Sequence, residues 1–172
     1  MIEDLKKLTK GHNIEDIYLT GFIDIDDGIA QFCHDLRFVY FEINSKYIKF
    51  ESINQFSKLK LKIVDSIEYD FEIDEDMIRA KSSVSEIVLN DTMANGNDID
   101  NIIFYNLEGQ EEIICDAVEI KLVNGQVIFL DPSYYFGINI GGKEQKQLWK
   151  INFKENGNYS EPPLFKDEIR VT

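Results

Sequence analysis

Residues 117–132 read AVEIKLVNGQVIFLDP. Two apolar, β-branched runs flank Asn124-Gly125. Asn-Gly is the strongest short-range hairpin signal, because both central positions of a type I′ turn take positive φ. A second hairpin is written RFVYFEI (37–43), Asn44-Ser45, KYIKFESI (46–53). Strand composition recurs in IYLTGFIDID (17–26), KLKLKIVD (58–65), SIEYDFEID (66–74), SSVSEIVL (82–89), NIIFYNL (101–107), YYFGINI (134–140) and LWKINF (148–153). Turn signals such as Asp26-Asp27-Gly28 and Gly141-Gly142 stand between them. Residues 113–116 lead into the 117–132 hairpin. Residues 29–36 leave a helical turn and an irregular crossing both open. Only residues 2–10, IEDLKKLTK, carry helical spacing, with Ile2, Leu5 and Leu8 three apart and Gly11 as a stop. The last eighteen residues, with Pro162-Pro163, predict a tail laid over the body. Many short strands between turn signals predict a mainly β protein. The expected form is an antiparallel β-sandwich or barrel-like sheet with a short N-terminal helix and few other short helices.

At 172 residues, with no linker, the chain predicts one domain over 1–172. Its apolar content of 44% suits a packed core. Ile occurs 25 times and Ala four times, a bias toward strands. Met1 is followed by charged residues, and no apolar run approaches the ~18 residues of a membrane helix. The expectation is a cytoplasmic protein without a membrane contact.

Motifs for chemistry are sparse. Cys33 and Cys115 lie far apart among apolar neighbours and read as two small buried hydrophobes. A zinc set of Cys33, His34, His12 and Cys115 has no recognised ligand spacing. Asp24-Ile25-Asp26-Asp27-Gly28 opens like a calcium loop, but its third acid is out of register. His34 also stands where the closing Glu belongs. Gly141-Gly142-Lys143 lacks the upstream glycine and the following Ser or Thr of a phosphate loop. No G-x-S-x-G occurs. Cys33 and His34, adjacent on a strand, point to opposite faces. The reading is a non-enzyme with no cofactor and no metal.

Charge is the informative feature. The net charge is −14, and sixteen of the 32 acids lie between Asp65 and Glu119 with only two bases, Arg79 and Lys81. The remainder carries sixteen acids and sixteen bases. So concentrated a field steers cationic partners, most naturally a basic protein, and repels nucleic-acid phosphates. From Ile67 to Asp74 apolar and acidic residues alternate without exception. As a strand this segment turns Ile67, Tyr69, Phe71 and Ile73 inward. Glu68, Asp70, Glu72 and Asp74 then form an outward row about 6–7 Å apart, extended by Glu75 and Asp76. Glu108, Glu111 and Glu112 form a second patch on a loop. The competing structural use is cross-strand pairing with Lys58, Lys60 and Lys62. Three lysines leave most of the sixteen acids without partners. Tyr105, Tyr134, Tyr135, Phe136 and Trp149 are candidate anchors for a partner, though each suits a core better.

The stretch CDAVEIKLVNGQVIFLDPSYYFGINIGG (115–142), LWKINF and FVYFEINSKYIKFES (38–52) resemble bacterial immunity proteins of polymorphic toxin systems. Those of contact-dependent growth inhibition are the nearest class. The resemblance covers about half of the chain, in size, strand content, acidity and the NGQ-to-DP turn, and transfers no residue-level motif. It implies a cytoplasmic protein that binds a cognate toxin domain, often a nuclease with a basic cleft, and occludes its active site. Glu68, Asp70, Glu72, Asp74, Asp76, Glu108, Glu111 and Glu112 are the expected contacts on the charge argument. Two other readings stay open. One is a nucleic-acid mimic that captures a housekeeping DNA-binding protein. The other is a small metal-dependent enzyme using Asp24, Asp26, Asp27 and the histidines. Oligomeric state is not legible.

Overall fold

A computed structural model describes residues 1–90, 96–108, 112–134, 137–155 and 164–170. Its first hairpin strands are β1 (Asp16–Asp26) and β2 (Ile29–Ile43), followed by β3 (Lys46–Ile53) and β4 (Lys58–Val64). Asp27 and Gly28, then Asn44 and Ser45, have positive φ, the type I′ geometry that matches strand twist. With β5 (Ile78–Ser83) and β7 (Ile113–Cys115) these strands form a sheet in the order β5-β1-β2-β3-β4-β7. The second sheet contains β6 (Ile99–Tyr105), β8 (Ala117–Leu122), β9 (Val127–Tyr134), β10 (Gly137–Gly141) and β11 (Lys166–Arg170). Its order is β10-β9-β8-β6-β11, and every pair in both sheets is antiparallel.

The fold is a sandwich of two sheets rather than a closed barrel. Alternation along the strands explains the core. Val39, Phe41, Ile48, Phe50, Leu59 and Leu61 of the first sheet meet Ile102, Phe104, Val118, Ile120, Ile128 and Leu130 of the second. The expected N-terminal helix is α1 (Ile2–Thr9), which adds Leu5 and Leu8 to this core.

Six local expectations are corrected. LWKINF (148–153) is not a strand; it lies within α3 (Lys143–Glu155). Trp149 and Phe153, four residues apart, share one helical face and pack on Ile103, Tyr105 and Phe129 across the second sheet's outer face. Residues 82–89 divide: β5 ends at Ser83, and α2 (Ser85–Val88) follows. Residues 29–36 belong to one long strand with 37–43. Part of the expected tail is β11, which pairs with β6. At Asn124-Gly125 only Gly125 has positive φ (+85°), and its N–H bonds to Leu122 O. That turn is therefore a type I turn closed by a glycine bulge rather than type I′.

The sixth correction is the acidic run. Residues 66–74 form no strand and have no ladder partner among the described residues. β7 already occupies the outer edge of β4. The chain bends at Asp65-Ser66 and lies across the outer face of the first sheet. Backbone acceptors still need donors, and here side chains supply them. Tyr40 Oη donates to Glu68 O at 2.7 Å, Arg37 to Asp70 O at 3.4 Å and Arg79 to Phe71 O at 3.1 Å. The alternation itself is retained: Ile67, Tyr69, Phe71 and Ile73 are half-buried, while the acids between them are exposed.

Candidate functional site

Two residues decide the inner part of the acidic run. Lys49 sits on the outward face of β3, directly across from Tyr40, yet is only 1% exposed. Its Nζ stands 4.6 Å from the Phe38 ring centre, bonds Glu68 Oε2 at 2.8 Å and contacts Asp70 Oδ2. Burial opposes the Lys49 charge, but the hydrogen bonds it donates to Asp70 and Glu68 outweigh that cost and hold the ammonium's pKa above its ordinary value. A buried ammonium needs this compensation, so Glu68 and Asp70 clamp the segment to the sheet.

The second acidic patch is also engaged. Lys58 bonds Glu108 at 2.6 Å and Asp116 at 2.5 Å, and Lys60 bonds Glu112 at 2.6 Å. Antiparallel pairing of β4 with β7 produces these contacts: Lys60 stands opposite Ile114, which brings the loop acids beside the lysines. The cross-strand use of the lysines thus accounts for Glu108 and Glu112. Glu111 lies outside the described residues.

Glu72, Asp74 and Asp76 stand differently. With Glu75 they are exposed and make no side-chain hydrogen bond or ion pair among the described residues. Both ends of their segment are tied to one point on β1. The Phe71 ring packs 6.4 Å from that of Phe22, and Ile78 pairs with Ile23. The strand then continues to Asp24, Asp26 and Asp27, whose carboxylates likewise have no described partner. Seven carboxylates therefore surround the end of a ribbon made by β1, β2 and β5.

That ribbon starts at an irregularity. Leu19 pairs with Val39 but Gly21 with His34, so residues 35–38 bulge out of register. A Cβ on Gly21 would lie 2.1 Å from Cys33 O, and one on Gly137 would lie 2.1 Å from Leu36 O. Glycine at both places lets β2 approach β1 and lets the bulge reach β10.

No protein-family model, no curated protein and no solved structure matches this chain.

The candidate anchors divide as well. Tyr105 and Trp149 are buried, with ring centres 5.1 Å apart, under α3. Tyr105 donates to Glu119 Oε2 at 2.6 Å, and Lys146 caps the same carboxylate. Burial would raise the pKa of Glu119, but the hydrogen bonds from Lys146 and Tyr105 prevail and hold it below the ordinary value. Nothing is described of Tyr135, Phe136 or the Tyr134 side chain. Cys115 is buried, and burial pushes its thiol pKa up, while Cys33 is only half-buried, short of the expectation for it. Among the described residues, no group of three or more His, Cys, Asp or Glu is placed to hold a metal ion. None of the described helices is long and apolar enough to cross a membrane.

Sequence reasoning missed Lys49 and weighed Asp24, Asp26 and Asp27 only as calcium ligands. The signal for the aspartates was present: Ile23-Asp24-Ile25-Asp26 repeats the alternation of the acidic run. A charged residue due for burial on an outward position left no comparable mark.

Proposed function

We propose that this chain binds and neutralises a basic protein, in the manner of an immunity protein that occludes the cationic active-site cleft of a cognate toxin domain, a nuclease above all. One observation carries the reading: Glu72, Asp74, Glu75 and Asp76, with Asp24, Asp26 and Asp27, concentrate at one end of the first sheet without internal counter-ions among the described residues. Solvated like charges gathered in one place repel one another. A partner that supplies positive charge relieves that repulsion and gains on-rate from it. A nuclease cleft is positive because it holds phosphates. Glu68, Asp70, Glu108 and Glu112 are 43–57% exposed and extend the negative surface while serving their internal lysines.

Capture from the native host's lysate on the immobilised protein, eluted in salt steps and followed by assay of the purified captured domain, tests this. A single basic domain retained above physiological salt, with its activity abolished at one-to-one stoichiometry, is expected. Generic basic proteins lost at low salt, or none, would overturn the reading.

A further inference from the structure

Strand register puts an apolar surface on the core-side face of the ribbon, with Asp24 and Asp26 on its opposite face. β1 and β5 stay in unbroken register from Tyr18 to Ile23, so Leu19, Gly21 and Ile23 share the core-side face of the ribbon. Phe22 points the other way, toward Phe71. Ile25 continues the core-side face, and Phe32 on β2 and Ile78 on β5 both stand opposite Ile23 on it. Leu19 packs on the core, but farther out the face is uncovered: Ile25 is 45% exposed, Phe32 37% and Ile78 57%. Behind it a cleft of about 300 Å³, lined by Leu19, Val84, Ile87 and Ile138, opens between the sheets. Exposed β-branched residues on an edge ribbon invite aggregation, so their clustering calls for an occupant.

Charge selects which one. Residues 22–34 and 72–78 contain seven acids and no Lys or Arg. A second copy would bring two such sets of carboxylates together, and an anionic lipid surface would meet the same repulsion. We infer that the Ile23–Ile25–Phe32–Ile78 face is the anchor for a basic protein partner whose contact segment interleaves apolar with cationic side chains. The inference rests on the proposed basic partner and adds what holds it. Carboxylates govern the approach, and burial of the apolar face sets the residence time. β5 is the edge strand of its sheet, so an extended segment can lie along it.

Fluorescence anisotropy with two labelled dodecapeptides of equal charge tests the inference, one alternating Lys with Leu and the other Lys with Ser. The Lys–Leu peptide is expected to bind about 10-fold tighter or more, as burial of a few apolar side chains allows. Ile25→Ser/Ile78→Ser erases the difference and leaves Lys–Ser binding unchanged. Val123→Ser, at an exposed apolar residue in the turn between β8 and β9, changes neither. Phe32→Ser replaces the double variant if that variant melts early. Equal binding of both peptides, or a preference that survives the ribbon substitutions, overturns the anchor and leaves the basic-partner reading standing. Failure of both peptides to bind overturns the reading and the anchor together. A dimer in sedimentation that Ile78→Ser dissociates would give the face to a second copy and overturn the inference.

Discussion

Glu68 and Glu72 lie four residues apart in one alternating acidic run, yet they face opposite circumstances. Glu68 closes an ion pair with a lysine that the fold has buried, and its carbonyl accepts from Tyr40. Glu72 begins a stretch of carboxylates with no described partner, beside three more from the tip of β1. The same residue type therefore serves cohesion in one place and leaves an unbalanced field in the other. The deciding factor is whether the sheet beneath supplies a buried cation. Counting acids along the chain cannot separate these uses, because the donors come from β3 and β4.

Substitutions can break the comparison. The largest loss is expected where a carboxylate is most deeply embedded. Glu119→Ala leaves Tyr105 and Lys146 without their acceptor and costs about 3 kcal/mol by denaturant unfolding. Glu119 also provides the pH test. Its folded pKa lies below the ordinary 4.5, so its stabilisation is complete above about 4.5. As pH falls toward the lowered folded value, the unfolded chain takes up a proton first and the stabilisation is lost. Glu119→Gln should flatten that part of the acid limb of the stability profile.

Next comes the clamp. Glu68→Gln/Asp70→Asn strands the Lys49 ammonium and should cost about 2 kcal/mol, less than a fully buried pair because both carboxylates are half-exposed. Lys49→Met, which keeps an unbranched chain beside Phe38, should cost less than the double carboxylate variant. If removing the two carboxylates leaves the melting temperature unchanged, they do not hold the segment and the contrast with Glu72 disappears.

A smaller effect is expected from Glu108→Gln/Glu112→Gln. Each carboxylate is more than half exposed, so the pair of substitutions should lower the melting temperature less than the clamp variant does. The smallest is Glu72→Gln/Asp74→Asn/Glu75→Gln/Asp76→Asn. Stability should stay within about 0.5 kcal/mol or rise slightly as self-repulsion is relieved. Binding should respond in the opposite order. The association rate of a Lys-rich peptide is expected to fall about 10-fold at low salt in this quadruple variant, with a shallower salt dependence. Stopped-flow measurements over a salt series check it.

Much of the architecture was readable in the chain. The hairpin about Asn44-Ser45, the turn at Asp27-Gly28, the β4 run KLKLKIV and the α1 spacing all follow from local period and turn chemistry. The failures share a cause. LWKINF has strand composition, but Trp149 and Phe153 are spaced for a helix that covers an apolar sheet face. Residues 66–74 have a strand's alternation without an edge to join. Apolar alternation reports that one side of an extended segment is covered, and it does not say whether a ladder or a sheet face does the covering.

The candidate site divides along the same line. The sequence by itself determined a mainly β chain and placed half of its acids in one third of its length, because strand period, turn residues and charge are local properties. Only the tertiary structure decided which acids pair with lysines and which have no counter-charge among the described residues. Only it placed Asp24, Asp26 and Asp27 near Glu72–Asp76 at the end of a ribbon whose other face is apolar and exposed. Those outcomes depend on which strand took the edge of β4 and on where the register of β1 and β2 slips. Such long-range choices follow from competition among all the strands, and no short window of the chain contains it.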